Sequence, residues 1–338
     1  MKTSHYHLAG LTLAVSVPTT LASLLDDVLG YKGARPTSEE EADLHVTYRI
    51  GEASPGLAPP AGTRRVGGHA ESRITVAFDE ETGVYWLTQE PGGDLRGAAV
   101  ARVAPIEGRA EGHLGADAVR GRAFDARAFY FTTISLVLLL TERDRFVLHA
   151  AALERDGQSV LFSGPSGQGK TTLTLNLLRA GWSLVTDDSV LLSDPDGDVR
   201  ATTFRRELNL SPDAVRLIPA LGERTWPRPP GPRDKWRVDP DVLFAGRSRP
   251  ETVPRRLLFP ERVAEGPSRL APVSRVEAFQ RLVRQSASGF VHDPACRIRY
   301  GAVLLKLVQR TEPARLLSGP DLFDAPERLD ALIDEQNP

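Results

Sequence analysis

A single cysteine, Cys296, stands in 338 residues, which excludes an intrachain disulfide framework and any cysteine-rich zinc site and suits a reducing compartment. Long apolar runs are missing too. The longest, Phe129 to Leu140, is broken by Thr132, Thr133 and Ser135. It falls well short of the ~20 residues a membrane-spanning helix needs, so it reads as a buried helix. Nor is there an excess of positive charge. The formal net charge is −2 and the pI near 6.4, which argues against nucleic-acid binding driven by bulk charge. Near the N-terminus, Lys2 is followed by His5, His7 and an alternating stretch instead of a signal peptide's apolar core. The expected location is the cytoplasm, with neither membrane nor nucleic acid as partner. What is present, 41% hydrophobic and 25% charged residues, describes a chain that folds, and its length suggests two domains.

Apolar and small residues alternate from Tyr6 to Val17, Leu44 to Ile50 and Ile74 to Leu87, the last broken by an acidic turn at Asp79 to Gly83; these predict strands and a hairpin. Gly51 to Gly68 is rich in Pro and Gly and predicts loops. Residues 1–122 thus read as a β-rich N-terminal domain without a catalytic signature. In residues 123–338, Ala126 to Thr141 predicts a helix, and Phe146 to Leu153 and Ser159 to Ser163 predict strands around an Asp156-Gly157 turn. A helix and the strand Trp182 to Thr186 follow, a βαβ unit that implies a parallel sheet. Val276 to Val283 and Glu327 to Ile333 look helical, with strand-like segments near Leu257 and Leu304.

Gly164-Pro165-Ser166-Gly167-Gln168-Gly169-Lys170-Thr171 satisfies the G-x-x-x-x-G-K-[ST] pattern, with an apolar strand running in and a helix leaving. Glycines let the backbone aim several N–H groups inward, and the helix N-terminus adds partial positive charge. Residues Gly164 to Thr172 are therefore the expected cradle for ATP, with Lys170 on the β- and γ-phosphates and Thr171 holding Mg²⁺. Lysine usage sharpens the reading: five lysines stand against 37 arginines, and Lys170 and Lys235 both fall in candidate functional segments.

Gly181 ends the helix, and the next strand delivers Asp187-Asp188 at its C-terminal end, the edge where ligands bind in open α/β sheets. Two carboxylates there suit two jobs, accepting a proton from an attacking hydroxyl and holding Mg²⁺ directly or through water. A solvated turn is the bland alternative. His149 ends Phe146-Val147-Leu148, and a parallel partner strand would bring it beside Asp187 to orient that carboxylate. The other six histidines show no metal-ligand spacing.

His149-Ala150-Ala151, Gly164 to Thr172, and Arg179-Ala180-Gly181-Trp182-Ser183-Leu184-Val185-Thr186-Asp187-Asp188 together resemble the catalytic domain of HPr kinase/phosphorylase and its relatives. The resemblance spans roughly residues 145 to 190. It implies an α/β fold with a P-loop core like that of phosphoenolpyruvate carboxykinase (PEPCK), and a homo-oligomer, since HPr kinases assemble as hexamers. Position by position, it makes Asp187 the proton acceptor, His149 its support, Lys170 the P-loop lysine and Thr171 the metal-binding hydroxyl, usually Ser in the family. With Asp188, a metal-binding Glu is implied, but the family's Glu-Ile-Arg-Gly-Leu-Gly stretch is matched only by Arg205-Arg206-Glu207-Leu208-Asn209-Leu210, which offers Glu207 without the glycines. A later Asp-Arg pair is similar to Asp234-Lys235. These departures count against the reverse, phosphorylase reaction. Arg205 and Arg206 would stabilise charge on a transferring phosphoryl group, or be two solvated arginines.

Relatives with an added β-rich N-terminal part include kinases of serine on ribosomally made precursor peptides such as lasso peptides, so the resemblance implies a serine of a peptide or protein as acceptor. Arg247 to Arg315 carries a net charge of +8, which would suit an acidic peptide segment or simply form a solvated face. The basic, Pro-rich run Glu223 to Arg237 is the candidate lid, with Trp226, Arg228, Arg233 and Lys235 closing over nucleotide and acceptor. Two rivals stay open: a small-molecule kinase on the same core, and a nucleotide-dependent switch or ATPase. An ABC-type ATPase is disfavoured because Leu317-Ser318-Gly319-Pro320 is not its L-S-G-G-Q signature.

Overall fold

Period-two patterning builds the N-terminal part, in which β1 (Lys2–Leu8) and β2 (Leu11–Val17) form a hairpin across Ala9 and Gly10. Both turn residues have positive φ, 52° and 78°, as a two-residue type I′ turn requires. Helix α1 (Thr19–Tyr31), which the strand reading passed over, buries Leu21, Leu25, Val28 and Leu29 at helical spacing. Then come β3 (Arg35–Thr37), β4 (Leu44–Ile50), β5 (Arg64–His69), β6 (Ile74–Phe78), β7 (Tyr85–Gln89), β8 (Ala99–Ala104) and β9 (Arg109–Leu114). Together the nine strands form one sheet in the order β3-β1-β2-β4-β9-β8-β7-β6-β5. β5 corrects the expectation of loop throughout Gly51 to Gly68: a bulge lies between Arg65 and Gly67, and a Cβ on Gly68 would lie 2.4 Å from the Ile74 carbonyl oxygen, so only glycine permits this pairing. Helix α2 (Arg122–Glu142) packs on α1, with the Tyr31 and Phe129 rings 5.7 Å apart.

The computed structural model describes residues 1–51, 59–69, 73–89, 99–115, 122–216, 235–325 and 327–334. Contacts divide the chain into two compact units, Met1–Phe146 with Ala287–Tyr300, and Val147–Ser286 with Gly301–Pro338. The division falls beyond the 122/123 boundary drawn from the sequence, because α2 packs within the first unit.

The second unit is a mixed α/β structure. Its strands are β10 (Phe146–Arg155), β11 (Gln158–Ser163), β12 (Ser183–Thr186), β13 (Ser189–Ser193), β14 (Arg200–Thr203), β15 (Leu208–Leu210), β16 (Trp236–Val238), β17 (Glu251–Thr252), β18 (Arg256–Arg262), β19 (Arg269–Pro272) and β20 (Glu312–Ser318). Its helices are α3 (Lys170–Arg179), α4 (Pro212–Arg216), α5 (Pro240–Leu243), α6 (Arg275–Gln285), α7 (Pro294–Arg310), α8 (Asp321–Asp324) and α9 (Glu327–Asp334), of which α7 crosses the division at Tyr300.

The large sheet runs β17-β14-β13-β10-β11-β18-β20-β19, with β12 also paired to β10. The expected parallel βαβ sheet is corrected to a mixed one. Asp156 and Gly157, at φ 51° and 82°, close a tight hairpin that makes β11 antiparallel to β10, and β12 then joins β10 from its other side. β11 and β12 thus run the same way with β10 between them. β11, β18 and β20 are mutually parallel, and the continuous apolar run of β18 fits a strand covered on both faces. The strand expected near Leu304 is helix instead: Tyr300, Leu304, Leu307 and Val308 are buried at i, i+4, i+7, i+8 while Ile298 and Leu305 are exposed.

Helix α3 packs into a core of Val160, Phe162, Leu173, Leu177, Trp182 and Leu329. Trp182, fully buried, donates its indole N–H to Asp330 Oδ1 (2.8 Å), under the guanidinium of Arg155, which pairs with Asp330 Oδ2 at 2.6 Å. That arrangement ties α9 to the end of α3 and fixes the helix that carries the phosphate-loop motif.

Candidate active site

Buried residues Val160 to Phe162 carry β11 into the loop at Gly164. Gly167 and Gly169 stand at φ 88° and 90°, where an L side chain is strained, and Gly169 caps α3 with no side chain on its first-turn N–H groups. Those donors face a cleft of about 490 Å³ lined by Ser166 to Leu173, a size suited to a small-molecule ligand. Lys170 is only 7% exposed and donates from Nζ to the carbonyls of Gly164 (2.6 Å) and Pro165 (3.1 Å) behind the loop. Burial holds its ammonium below the ordinary lysine pKa, against the pull of Asp188 and Asp187.

Between β12 and β13 the chain turns through Asp187-Asp188, and Thr186 Oγ1 pins the turn, its one proton shared between the carbonyls of Arg205 (2.8 Å) and Ser189 (3.0 Å). Asp187 is 2% exposed; its Oδ2 accepts from Thr171 Oγ1 (3.2 Å), while Oδ1 is buried without a partner. Burial, and then the charge of Asp188, raises its pKa to about 6, despite Arg205, the Thr171 hydroxyl and the Asn209 backbone N–H. Such a carboxylate is ionised at neutral pH yet basic enough to take a proton.

Asp188 has the opposite electrostatics. Burial opposes its charge, but hydrogen bonding to His149, the ion pair with Arg205 Nη1 and the Ser189 hydroxyl (3.1 Å) hold it well below the usual carboxylate range. His149 Nδ1 lies 2.8 Å from the Asp188 carbonyl oxygen and 3.5 Å from its Oδ1. The histidine therefore meets Asp188 instead of Asp187, because β10 and β12 are antiparallel and not parallel as expected.

The structure thus brings together His149, the 166–172 loop segment, Asp187, Asp188 and Lys235 around the cleft, with Arg205 behind Asp188. It does not bring Arg206 or Glu207 there. Arg206 pairs with Asp241 (3.1 Å) and Asp239 (3.6 Å), and Glu207 takes a two-point ion pair from Arg237 (2.6 and 3.1 Å), so Glu207 is removed from the metal set. Trp226, Arg228, Arg233 and Asp234 lie outside the described residues. Within the basic run Arg247 to Arg315, Arg249, Arg256, Arg281, Arg299, Lys306 and Arg315 are each in an ion pair. Sequence reasoning missed Arg262, Asn209 and Ser318, which also line the cleft; among 37 arginines nothing distinguishes Arg262.

The donors suit Mg-ATP. The orphaned Asp187 Oδ1, the Thr171 hydroxyl and Asp188 are hard oxygen donors, and Lys170 and Lys235 supply cations. No described cluster of three or more His, Cys, Asp or Glu could hold a metal by itself, which is compatible with Mg²⁺, an ion that usually takes one or two carboxylates plus phosphate and water. No described helix is long and apolar enough to cross a membrane.

No family model matches the chain. The HPr kinase/phosphorylase of Clostridium beijerinckii is 40% identical over 68 residues, 20% of this chain and 22% of the relative, so the match spans about a fifth of either protein. The solved Hpr(Ser) kinase/phosphatase from Coxiella burnetii superposes over 56% of this chain and 94% of its own at 14% identity, with a TM-score of 0.31, too loose a likeness to carry an argument.

Proposed function

We propose that this protein is an ATP-dependent phosphotransferase with an HPr kinase-like, PEPCK-like P-loop core, which moves the γ-phosphoryl group of Mg-ATP to a serine hydroxyl of a peptide or protein. The observation that carries the reading is Asp187: a buried carboxylate among the cleft's lining residues, tied to the first turn of the phosphate-loop helix and with one oxygen unpartnered. The partial sequence match to an HPr kinase/phosphorylase supports the same chemistry. The reading takes the protein to be cytoplasmic and homo-oligomeric.

When bound, Mg-ATP supplies the activated phosphoryl group and a divalent charge that neutralises it. The chain's own residues do the rest. Backbone N–H groups of Ser166 to Thr172 bind phosphate, and Lys170 and Lys235 add positive charge. Thr171 and Asp188 hold the metal, Asp188 kept anionic by Arg205 and His149. Asp187, which lines the cleft, accepts the proton of the incoming hydroxyl on its carboxylate. Incubation with γ-phosphate-labelled ATP, Mg²⁺ and a library of serine-containing peptides should label peptide serine. Label confined to free phosphate or to a small product would contradict the proposal.

A further inference from the structure

Only one end of the cleft has a role so far. Across the sheet, β12 and β13 lie on one side of β10, and β11, β18 and β20 follow in turn on the other. Asp187, Asp188 and His149 therefore occupy one end, the phosphate loop rises from β11 in the middle, and Arg262 and Ser318, paired across the last positions of β18 and β20, stand at the far end. At about 4.8 Å per strand, β12 and β18 are roughly 14 Å apart. That is the length scale between the terminal phosphate of a nucleoside triphosphate and its nucleoside.

The far end is built for a ligand group unlike phosphate alone. Arg262 lines the cleft and is exposed, and its guanidinium makes no hydrogen bond or ion pair with another described residue, whereas Arg256, Arg281 and Arg315 nearby in the fold are all paired. Its backbone N–H donates to Gln168 Oε1 (3.3 Å), which fixes the strand end against the loop. Ser318 Oγ is shielded from solvent without a partner, and the Leu322 carbonyl accepts from Asn176 Nδ2 of α3 (2.9 Å), which sets an apolar wall beside it. We infer that this end is the nucleoside subsite, in which Arg262 stacks its guanidinium plane on a purine base; the inference rests on the Mg-ATP reading above. Guanidinium offers donors only, and the carboxylates among the described residues that line the cleft, Asp187 and Asp188, stand at its other end. Guanine's N1–H and amino donors thus meet no carboxylate among the described residues that line this end of the cleft. The subsite recognises a purine by its face and does not discriminate its edge.

Titration calorimetry on the full chain with ATP, GTP and inorganic tripolyphosphate, each with Mg²⁺, tests this. ATP and GTP should bind within about threefold of each other, and Arg262→Ala should weaken both about tenfold while leaving tripolyphosphate within about twofold, which also shows that the variant folds. Arg262→Lys should not restore nucleotide affinity, since a point charge has no stacking plane. Equal loss of tripolyphosphate, unchanged ATP affinity in Arg262→Ala, rescue by lysine, or strong selection of one purine would each overturn the inference. A wild-type chain that binds tripolyphosphate but not ATP would sink the nucleoside subsite and leave the phosphate loop standing; binding of neither would sink the Mg-ATP reading and this inference with it.

Discussion

Asp187 and Asp188 are chemically identical neighbours held in opposite states. For Asp187 burial dominates and the acid form is favoured, so folding disfavours its ionisation. Its folded pKa, about 6, lies above the unfolded carboxyl value. The corresponding stability is fully present below about pH 4 and is lost as pH rises through about 6. Asp187→Asn, which never ionises, should match the wild type near pH 4 and exceed it by up to about 3 kcal/mol at pH 8. Denaturant unfolding at the two pH values checks this; a variant less stable than wild type at pH 8 contradicts it. For Asp188 the sign reverses. Its depressed pKa gives stability above the unfolded value that is lost as pH falls, so Asp188→Asn should cost about 2 kcal/mol at pH 7, with the cost shrinking in acid. The loop glycines, Lys170, Thr171 and the aspartate pair were legible in the sequence because each lies in a local pattern. Arg206 and Glu207 were not, since their partners, Asp241 and Arg237, stand 35 and 30 residues away.

At the scale of elements, α3 is held from behind as well as by its strand. Trp182 and Arg155 clamp Asp330 of α9 against the helix end. Trp182→Phe keeps most of the apolar volume but strips Asp330 Oδ1 of its donor, and should cost about 1–3 kcal/mol. Thermal unfolding should show a drop of several degrees; an unchanged midpoint would mean that the indole hydrogen bond contributes nothing. Hairpins and the phosphate-loop strand and helix were readable because turn chemistry and periodicity are local. The sheet's direction was misjudged because strand, helix, strand order does not reveal β10 lying between β11 and β12, although the Asp156-Gly157 turn contained that information. α7 was misread near Leu304 because a short apolar run fits both periods until its exposed positions are known.

Across the whole molecule, charge told less than geometry. The net +8 of Arg247 to Arg315 suggested a docking face, yet Arg249, Arg299 and Lys306 are met by Glu154, Asp144 and Asp194 from outside the run, so sequence charge overstates the free cations. The N-terminal sheet was legible as β-rich, while its nine-strand order was not, because register and neighbour choice depend on contacts far apart in sequence. The second unit joins the loop, the aspartates and the two lysines in one cleft, where the proposed role of Asp187 is that of base for phosphoryl transfer. The most direct measurement compares Mg-ATP affinity and single-turnover transfer to a labelled serine peptide in wild type and Asp187→Asn. Affinity should stay within about twofold while transfer falls about a thousandfold; transfer retained, or lost only in step with ATP binding, would contradict the account.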